Sequence, residues 1–419
     1  MFCDRTLPKF SLAAPPRFGS LAREAGRGSR TNDMKVPFNK PSMIGREVEY
    51  LQDAIAQGQL SGDGIYTRRA SDFLRTLTGS EKVLLTHSCT AALEMAAILC
   101  DLGPGDEVIM PSFTFVSTAN AVALRGAVPV FVEIDERTLN IDPAAAEAAV
   151  TPATKAIFPV HYAGFPADMD AICAIGRSHD LLVVEDAAQA LGSTYKGRPA
   201  GSLGDLAAFS FHETKNVISG EGGALSINRP ELVERAEIIR EKGTNRSRFR
   251  RGQVDKYTWV DVGSSFLPGE LVASFLFAQL EREAAIRRRR VDIFERYNRA
   301  FAPLGDSGRV GLPQVPPHTT GNGHMFYLLM RDQEDRDAFI AALGKVGIGA
   351  PFHYVPLHSS PGGRRFGRTA GDGGLPVTDS ISERLVRLPL FYTLGDEIER
   401  VLEASNRFFA GDLVRTSGD

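Results

Sequence analysis

Cysteine is scarce in this chain: the four in 419 residues, Cys3, Cys89, Cys100 and Cys173, have no CxxC spacing and no histidine-paired metal pattern. That excludes a disulfide framework, fits a reducing cytoplasm, and gives no reason to expect a metal site. Long apolar runs are missing too. None approaches the roughly 20 residues needed to cross a bilayer, and no apolar core follows the first methionine in the manner of a signal peptide. A soluble, cytoplasmic protein with no membrane partner is therefore expected. There is no basic excess: 48 Lys and Arg against 51 Asp and Glu give a formal net charge of -3, which argues against nucleic acid as a partner. Arg287 to Arg290 is the one dense basic run. Set beside Glu281 and Glu283 with no aromatic interleaved, it has the composition of a solvated helix face. No G-x-G-x-x-G turn follows the first strand-like run, Val83 to Thr86, so the fingerprint of a nicotinamide-binding dehydrogenase is absent. There is no internal repeat.

With 43% hydrophobic and 24% charged residues the composition is that of an ordinary globular protein. At about 100 to 200 residues per domain, the length predicts two or three domains. The first 33 residues mix Pro15-Pro16, Gly26 and Gly28 with Arg17, Arg23, Arg27 and Arg30 and hold no apolar period, so a disordered leader is expected. An upstream start codon is one origin for it. A transit peptide is the other, against which Asp4, Glu24 and Asp33 count.

Patterned sequence begins after Met34. From about residue 45 to 245 short apolar runs alternate with helical stretches, the pattern of a mostly parallel sheet covered on both faces. Seven strands are predicted: Val83 to Thr86, Val108 to Met110, Val130 to Ile134, Ala156 to Val160, Leu181 to Glu185, Ala207 to Phe211 and Gly223 to Ile227. Between and after them the period predicts helices over Thr90 to Cys100, Val116 to Leu124, Pro143 to Val150, Asp170 to His179 and Pro230 to Lys242. Glu270 to Phe301 is one long helix or two abutting ones. Beyond it, the strand-like Phe326 to Met330, helical Asp335 to Lys345, the segment Gly347 to Phe352 and a helix near Glu397 to Phe409 outline a smaller α+β unit. The expected organisation is an α/β fold, with a leader over 1–33, a large domain over 34–285 and a small C-terminal domain over 286–419.

The chemistry gathers where these strands end. Ser88-Cys89-Thr90 opens a helix directly after a strand, so its free amides and positive dipole end suit a phosphate, although a plain helix cap needs the same residues. Asp186 closes a buried strand. It serves either as a cap or ion-pair partner, or as the anion that keeps a proton on a pyridine nitrogen and makes the ring an electron sink. Gln189 could face that ring's phenolic oxygen from the same turn. Lys215 follows the strand ending Phe209-Ser210-Phe211 and precedes the glycine-rich Ser219 to Gly223. Lysines in loops are usually solvated, but one enclosed by such neighbours loses its proton readily enough to form a Schiff base. Phe115 is placed to stack on a planar ring or to sit in the core. A carboxylate, an amine and a phosphate cradle at the carboxyl ends of one sheet are what pyridoxal phosphate chemistry needs.

The runs Pro111-Ser112-Phe113-Thr114-Phe115-Val116-Ser117-Thr118, Pro159-Val160-His161-Tyr162-Ala163-Gly164, Glu185-Asp186-Ala187-Ala188-Gln189 and Phe209-Ser210-Phe211-His212 with Lys215 resemble the nucleotide-sugar aminotransferases of the DegT/DnrJ/EryC1/StrS family, fold type I of the pyridoxal phosphate enzymes. The resemblance runs from about Val36 to the C-terminal helix. It implies that Lys215 joins the cofactor as an imine and later moves the proton, that Asp186 meets the ring nitrogen and Gln189 the ring oxygen, that Phe115 stacks, and that Cys89, Thr90 and Ser210 hold the phosphate, to which the helix start read above adds Ser88. Where many relatives bring an asparagine from the partner subunit, this chain has Leu267. The stretches Glu241 to Ser247 and Gly252 to Trp259 are similar to members acting on dTDP-4-keto-6-deoxyglucose, which implies amination at carbon 4, an amino-acid donor such as glutamate, and a homodimer with shared active sites. Arg246, His324, Tyr327, His353, Tyr354 and His358 are the candidate substrate contacts. Other nucleotide keto-sugars are an alternative. A related sugar dehydratase would carry histidine where Lys215 stands, and a cofactor-binding sensor would call for a DNA-binding pattern that the chain lacks.

Overall fold

Residues 35–371 and 373–412 are described by a computed structural model; the leader expected over 1–33, with Cys3, lies outside the described residues. The strands are β1 Lys82–Thr86, β2 Glu107–Pro111, β3 Val128–Val132, β4 Thr154–Ile157, β5 Leu182–Asp186, β6 Leu206–Ser210, β7 Gly223–Ile227, β8 Phe326–Leu329, β9 Arg368–Thr369 and β10 Leu385–Leu388. Three further pieces of two residues each form a small separate ribbon. The main sheet has the order β1-β7-β6-β5-β4-β2-β3-β9. Its pairs are parallel except β1 with β7 and β7 with β6.

The seven expected strands are thus all present, with ends moved by at most three residues, and the sheet gains an eighth that was not expected. β9 is two residues long, too short to carry a period. It is held on the β3 edge by Arg368, whose guanidinium meets both carboxylate oxygens of Glu107 at 2.7 Å. Strands such as β6 are buried at every position, which is why their sequences are unbroken apolar runs rather than alternating ones. Helix Cys89–Leu99 covers one face through Ala92, Met95, Ala96 and Leu99. The other face packs on Tyr50, Tyr66, Leu74, Ala273 and Leu276, from the helices Glu47–Ala56, Ile65–Thr78 and Glu270–Leu280.

Side-chain caps explain several helix starts. Ser88 accepts from the Ala91 N–H and Asp168 from the Ala171 N–H, each satisfying a donor that the first turn leaves open. Gly64 has no side chain to cap Ile65–Thr78; buried Glu270 does it instead, accepting the N–H groups of Gly64, Tyr66 and Thr67 at 3.0, 2.8 and 3.1 Å.

The expected long helix is two, Glu270–Leu280 and Glu283–Asp306. Ile293, Phe294, Tyr297 and Phe301 of the second carry it into a separate core with Phe326, Phe339, Leu385 and Phe408. Helix Gln333–Lys345 and helix Glu397–Ala410 cover this core. β8 pairs antiparallel with β10 beneath them, while Gly347 to Phe352 contributes single bridges, Val36 to Ile348 and Phe352 to Val386. The solvated face expected for Arg287 to Arg290 is corrected at its last residue. Arg290 is 3% exposed, because a 3.6-residue period sets it on the same side as Ile286, Ile293 and Phe294. No helix among the described residues is long and apolar enough to cross a membrane.

Candidate active site

The carboxyl ends of β1, β2, β5 and β6 open into one cavity of about 670 Å³, the place where open α/β sheets receive ligands. Ser88, Cys89, Thr90, Phe115, Asp186, Gln189, Ser210 and Lys215 line it from the sheet, and His324, His353 and Tyr354 line it from the C-terminal core. Lys215 is half-buried, and its side-chain amine has no hydrogen-bond or ion-pair partner among the described residues. Burial lowers its pKa below the ordinary lysine value and Arg387 acts in the same direction, while Cys89 and Asp186 oppose them.

Asp186 is 5% exposed. Its Oδ2 accepts the Thr118 hydroxyl at 2.7 Å, and Oδ1 accepts the Ala188 N–H at 3.2 Å. Thr118 in turn lies 3.0 Å from the Thr114 hydroxyl, one helical turn back, so a chain of hydroxyls holds the carboxylate as an acceptor facing the cavity. Gln189 is oriented from behind: Ala163 N–H donates to its Oε1 at 2.8 Å, which leaves the amide NH₂ as the outward group, 3.0 Å from the Tyr354 hydroxyl. Ala163 has φ 56°, a left-handed conformation that costs a non-glycine residue roughly 1–2 kcal/mol and here turns that N–H toward Gln189.

The opposite end is built for an anion. The side chain of Ser88 caps the Ala91 amide, and the amides of Cys89 and Thr90, ahead of the helix's own hydrogen bonds, take no acceptor among the described residues. The Thr90 and Ser117 hydroxyls lie 2.7 Å apart at the same place. β7 passes so close beneath that a Cβ on Gly223 would come within 2.3 Å of the Ser88 carbonyl carbon; only glycine fits there. Phe115 stands 57% exposed at the mouth, its ring 6.4 Å from that of Tyr354. Burial pushes the Cys89 thiol well up, so it behaves as a neutral packing group.

On the far wall, the His353 ring stacks on Tyr354 at 3.6 Å, and His353 Nδ1 lies 2.7 Å from the Tyr162 hydroxyl. His324 Nδ1 lies 3.1 Å from Asn216 Oδ1. The amide of Asn216 donates to the Asn322 carbonyl, so its oxygen faces the ring and the His324 proton sits on Nδ1. Burial holds both histidines well below their ordinary pKa, so both are neutral near pH 7.

Three candidates named from the sequence stand apart from this cavity, and so does Leu267. Tyr327 is buried behind Tyr162, 6.2 Å between rings, and is no part of the cavity wall. His358 bonds Ser112 at 2.8 Å and fastens the segment after Tyr354. Arg246 opens the short helix Arg246–Arg250 and faces Glu241 at 3.4 Å. Leu267 packs at Gly62. Sequence reasoning missed Thr118, Arg290 and Arg387. Thr118 lies inside a run already singled out. Arg290 lies in a basic run already singled out, where its helical register with Ile286 and Phe294 was the signal, whereas Arg387 gave none, because its partner is a backbone carbonyl far along the chain.

Residues 41–405 match the DegT/DnrJ/EryC1/StrS aminotransferase family. The chain belongs to that family. It is a pyridoxal phosphate-dependent sugar aminotransferase. The spore coat polysaccharide biosynthesis protein SpsC of Bacillus subtilis is 36% identical over 383 residues, 88% of this chain and 96% of that one. The aminotransferase TlmJ of Streptoalloteichus hindustanus superposes with a TM-score of 0.82 at 31% identity, covering 90% of this chain and 99% of TlmJ. Spr1654 of Streptococcus pneumoniae, in its PLP form, gives a TM-score of 0.80 at 28% identity, covering 89% and 99%. The cavity fits the cofactor these aminotransferases use. Open amides and hydroxyls suit its phosphate, a carboxylate with one hydroxyl donor suits its ring nitrogen, and an unpaired amine suits its aldehyde.

Proposed function

We propose that this enzyme is a dTDP-4-amino-4,6-dideoxygalactose transaminase, moving an amino group from glutamate to carbon 4 of dTDP-4-keto-6-deoxyglucose. The observation that carries aminotransfer is Lys215, unpaired in the cavity beside Asp186. A dehydratase of this fold would leave that position without an amine. The particular sugar is supported by Glu241 to Trp259, and a polysaccharide setting by the name of the Bacillus subtilis relative.

When bound, pyridoxal phosphate supplies an aldehyde that carries the amino group and a ring that accepts the electron pair of the broken C–H bond. The chain's own residues do the rest. Lys215, with its proton affinity reduced by burial, would hold the cofactor through its aldehyde carbon, with loss of water, and, once displaced by the incoming amine, would move the proton between the reacting carbons. Asp186, kept in place by Thr118, holds a proton on the ring nitrogen. Gln189 would donate to the ring oxygen, Phe115 would cover one face of the ring, and Ser88, Cys89, Thr90 and Ser210 would hold the phosphate. His324, His353 and Tyr354 face the sugar. Tyr327 supports that wall from behind. Arg246, outside this protomer's cavity, fits a homodimer in which it meets the partner's substrate diphosphate.

Borohydride reduction of the holoenzyme followed by peptide mapping tests the site, and an adduct on any lysine other than Lys215 rejects it. A coupled amination assay across nucleotide keto-sugars, with stereochemical analysis of the product, tests the substrate. Preference for a 3-keto sugar, or an equatorial amine at carbon 4, rejects the proposed product.

A further inference from the structure

Lys215 also borders a second, much smaller cavity, of about 20 Å³. Asn39 and Ser42 of the segment before helix Glu47–Ala56, Gln279 of helix Glu270–Leu280 and Arg290 of helix Glu283–Asp306 form walls of it. Asn39, Lys215 and Arg290 line the large cavity as well, so the amine stands in the partition between the two. Exposed Lys40, Pro41 and Glu213 bound the other end, which brings the small cavity to the surface. Two buried side chains keep one polar atom free here. Gln279 is 1% exposed, and its Nε2 donates to the Ser42 carbonyl at 2.9 Å and to Glu47 Oε1 at 2.6 Å, which makes Oε1 the free end. Arg290 donates from Nε to the Gly323 carbonyl at 3.1 Å and from Nη2 to the His324 carbonyl at 2.7 Å, which leaves Nη1. Neither Gln279 Oε1 nor Arg290 Nη1 has a partner among the described residues, and neither is sealed from solvent-sized probes. Gln279 lines the small cavity and not the large one.

The size of this space excludes a substrate, yet it exceeds the roughly 10–15 Å³ that a water needs. Its chemistry narrows the occupant further. Arg290 only donates and repels a cation, whereas Gln279 Oε1 only accepts and repels an anion. A water, which accepts and donates at once, satisfies both. We propose that the small cavity holds an ordered water that accepts from Arg290, donates to Gln279, and passes protons between Lys215 and solvent while a substrate fills the large cavity. The inference rests on the aminotransfer function proposed above, in which Lys215 receives the proton of the donor's α-carbon. As that C–H bond breaks, its electron pair stays with the carbon side and the proton turns the amine into an ammonium. The ammonium gives one proton to the water and takes one back. Charge and atom count are unchanged, and the net result is exchange of the donor's α-hydrogen with solvent, without the donor having to leave.

Two measurements test it. Crystals of the protein with and without cofactor are expected to show a water within hydrogen-bond distance of both Gln279 Oε1 and Arg290 Nη1. Holoenzyme is also placed in D₂O with L-glutamate and no sugar, and loss of the α-proton signal by NMR is set against loss of the aldehyde-form absorbance, giving exchange per turnover. Ser42→Leu puts a branched apolar group into the cavity wall and is expected to lower exchange per turnover about 10-fold, with the rate of absorbance loss unchanged. Gln279→Met, similar in volume but without the acceptor, is expected to lose the water and lower the exchange too, and it serves the same comparison should Ser42→Leu fail to fold. A dry cavity in a map that resolves surface waters overturns the proposal. So does a wild type that converts glutamate with no exchange. Wild-type exchange in a variant whose crystal structure shows the cavity filled or emptied of water also overturns it, and assigns the exchange to the mouth of the large cavity. A wild type that shows neither absorbance change nor exchange overturns aminotransfer itself, and is told apart because the water in the crystals does not depend on turnover.

Discussion

Asp186 depends on a hydroxyl 68 positions earlier in the chain. Thr118→Val keeps the shape of the side chain and removes the 2.7 Å bond to Oδ2, a contact to a charged group of the kind that contributes roughly 1.5–3 kcal/mol. Turnover is expected to fall about 10-fold or more, with cofactor content per protomer, measured after denaturation, nearly unchanged. Asp186→Asn removes the charge as well and is expected to lower turnover much further at similar occupancy, and equal activity in that variant rejects the electron-sink role. Lys215 adds a pH dependence with a definite sign. A lysine whose pKa is depressed is already neutral above that lowered value, so the rate at which apo-protein captures pyridoxal phosphate rises with pH and levels off below the ordinary lysine value of about 10.4. Arg387→Gln removes one of the lowering influences and moves the midpoint upward. A midpoint at or above the ordinary value in the wild type shows that the amine is solvated.

Elements deliver these residues, and the closest approach between elements is β7 against the start of helix Cys89–Leu99. Gly223→Ala places a methyl within 2.4 Å of the Ser88 oxygen, so the strand or the helix start must move. The expected outcome is a loss of about 1–3 kcal/mol in denaturant unfolding, typical of overpacking, together with weaker cofactor binding by equilibrium dialysis; unaltered dialysis with a normal unfolding curve refutes the cradle. Much of this layer was legible in the sequence. β5 and β6 are buried on both faces, so Leu182 to Asp186 and Leu206 to Ser210 are unbroken apolar runs with functional groups at their ends. Asp186 and Lys215 could be placed for that reason, and Ser88 could be named because a cap lies next to what it caps. Helix Ile65–Thr78 was not legible by the same means: its cap is Glu270, more than 200 residues away. β9 has two residues and no period to read. Arg290 was misjudged because composition makes a basic run look solvated, whereas its position on the helix relative to Ile286 and Phe294 decides its burial.

At the scale of the molecule, the two cores meet around the cavity through polar contacts between residues distant in sequence: Tyr162 with His353, Gln189 with Tyr354, Ser112 with His358, and Asn216 with His324. None has a local signature. The most enclosed of these links is Asn322, 1% exposed, whose Nδ2 donates to the carbonyls of Gln189 and Leu191 at 2.8 and 2.9 Å. Its own carbonyl accepts from Asn216, the residue after Lys215. Asn322 therefore connects the turn carrying Gln189, the loop carrying Lys215 and the chain leading to His324. Asn322→Ala orphans two buried carbonyls, each worth about 1–3 kcal/mol when left unpaired, so a destabilisation of roughly 2–6 kcal/mol is expected in urea unfolding if both remain dry. Asn322→Asp keeps the volume but exchanges the donor for an acceptor facing the same two carbonyls. It should be at least as damaging, although alanine leaves the larger void. Should the aspartate variant instead prove close to wild type while alanine is unstable, Asn322 acts by filling space, and the hydrogen bonds to Gln189 and Leu191 are not what joins the two halves of the site.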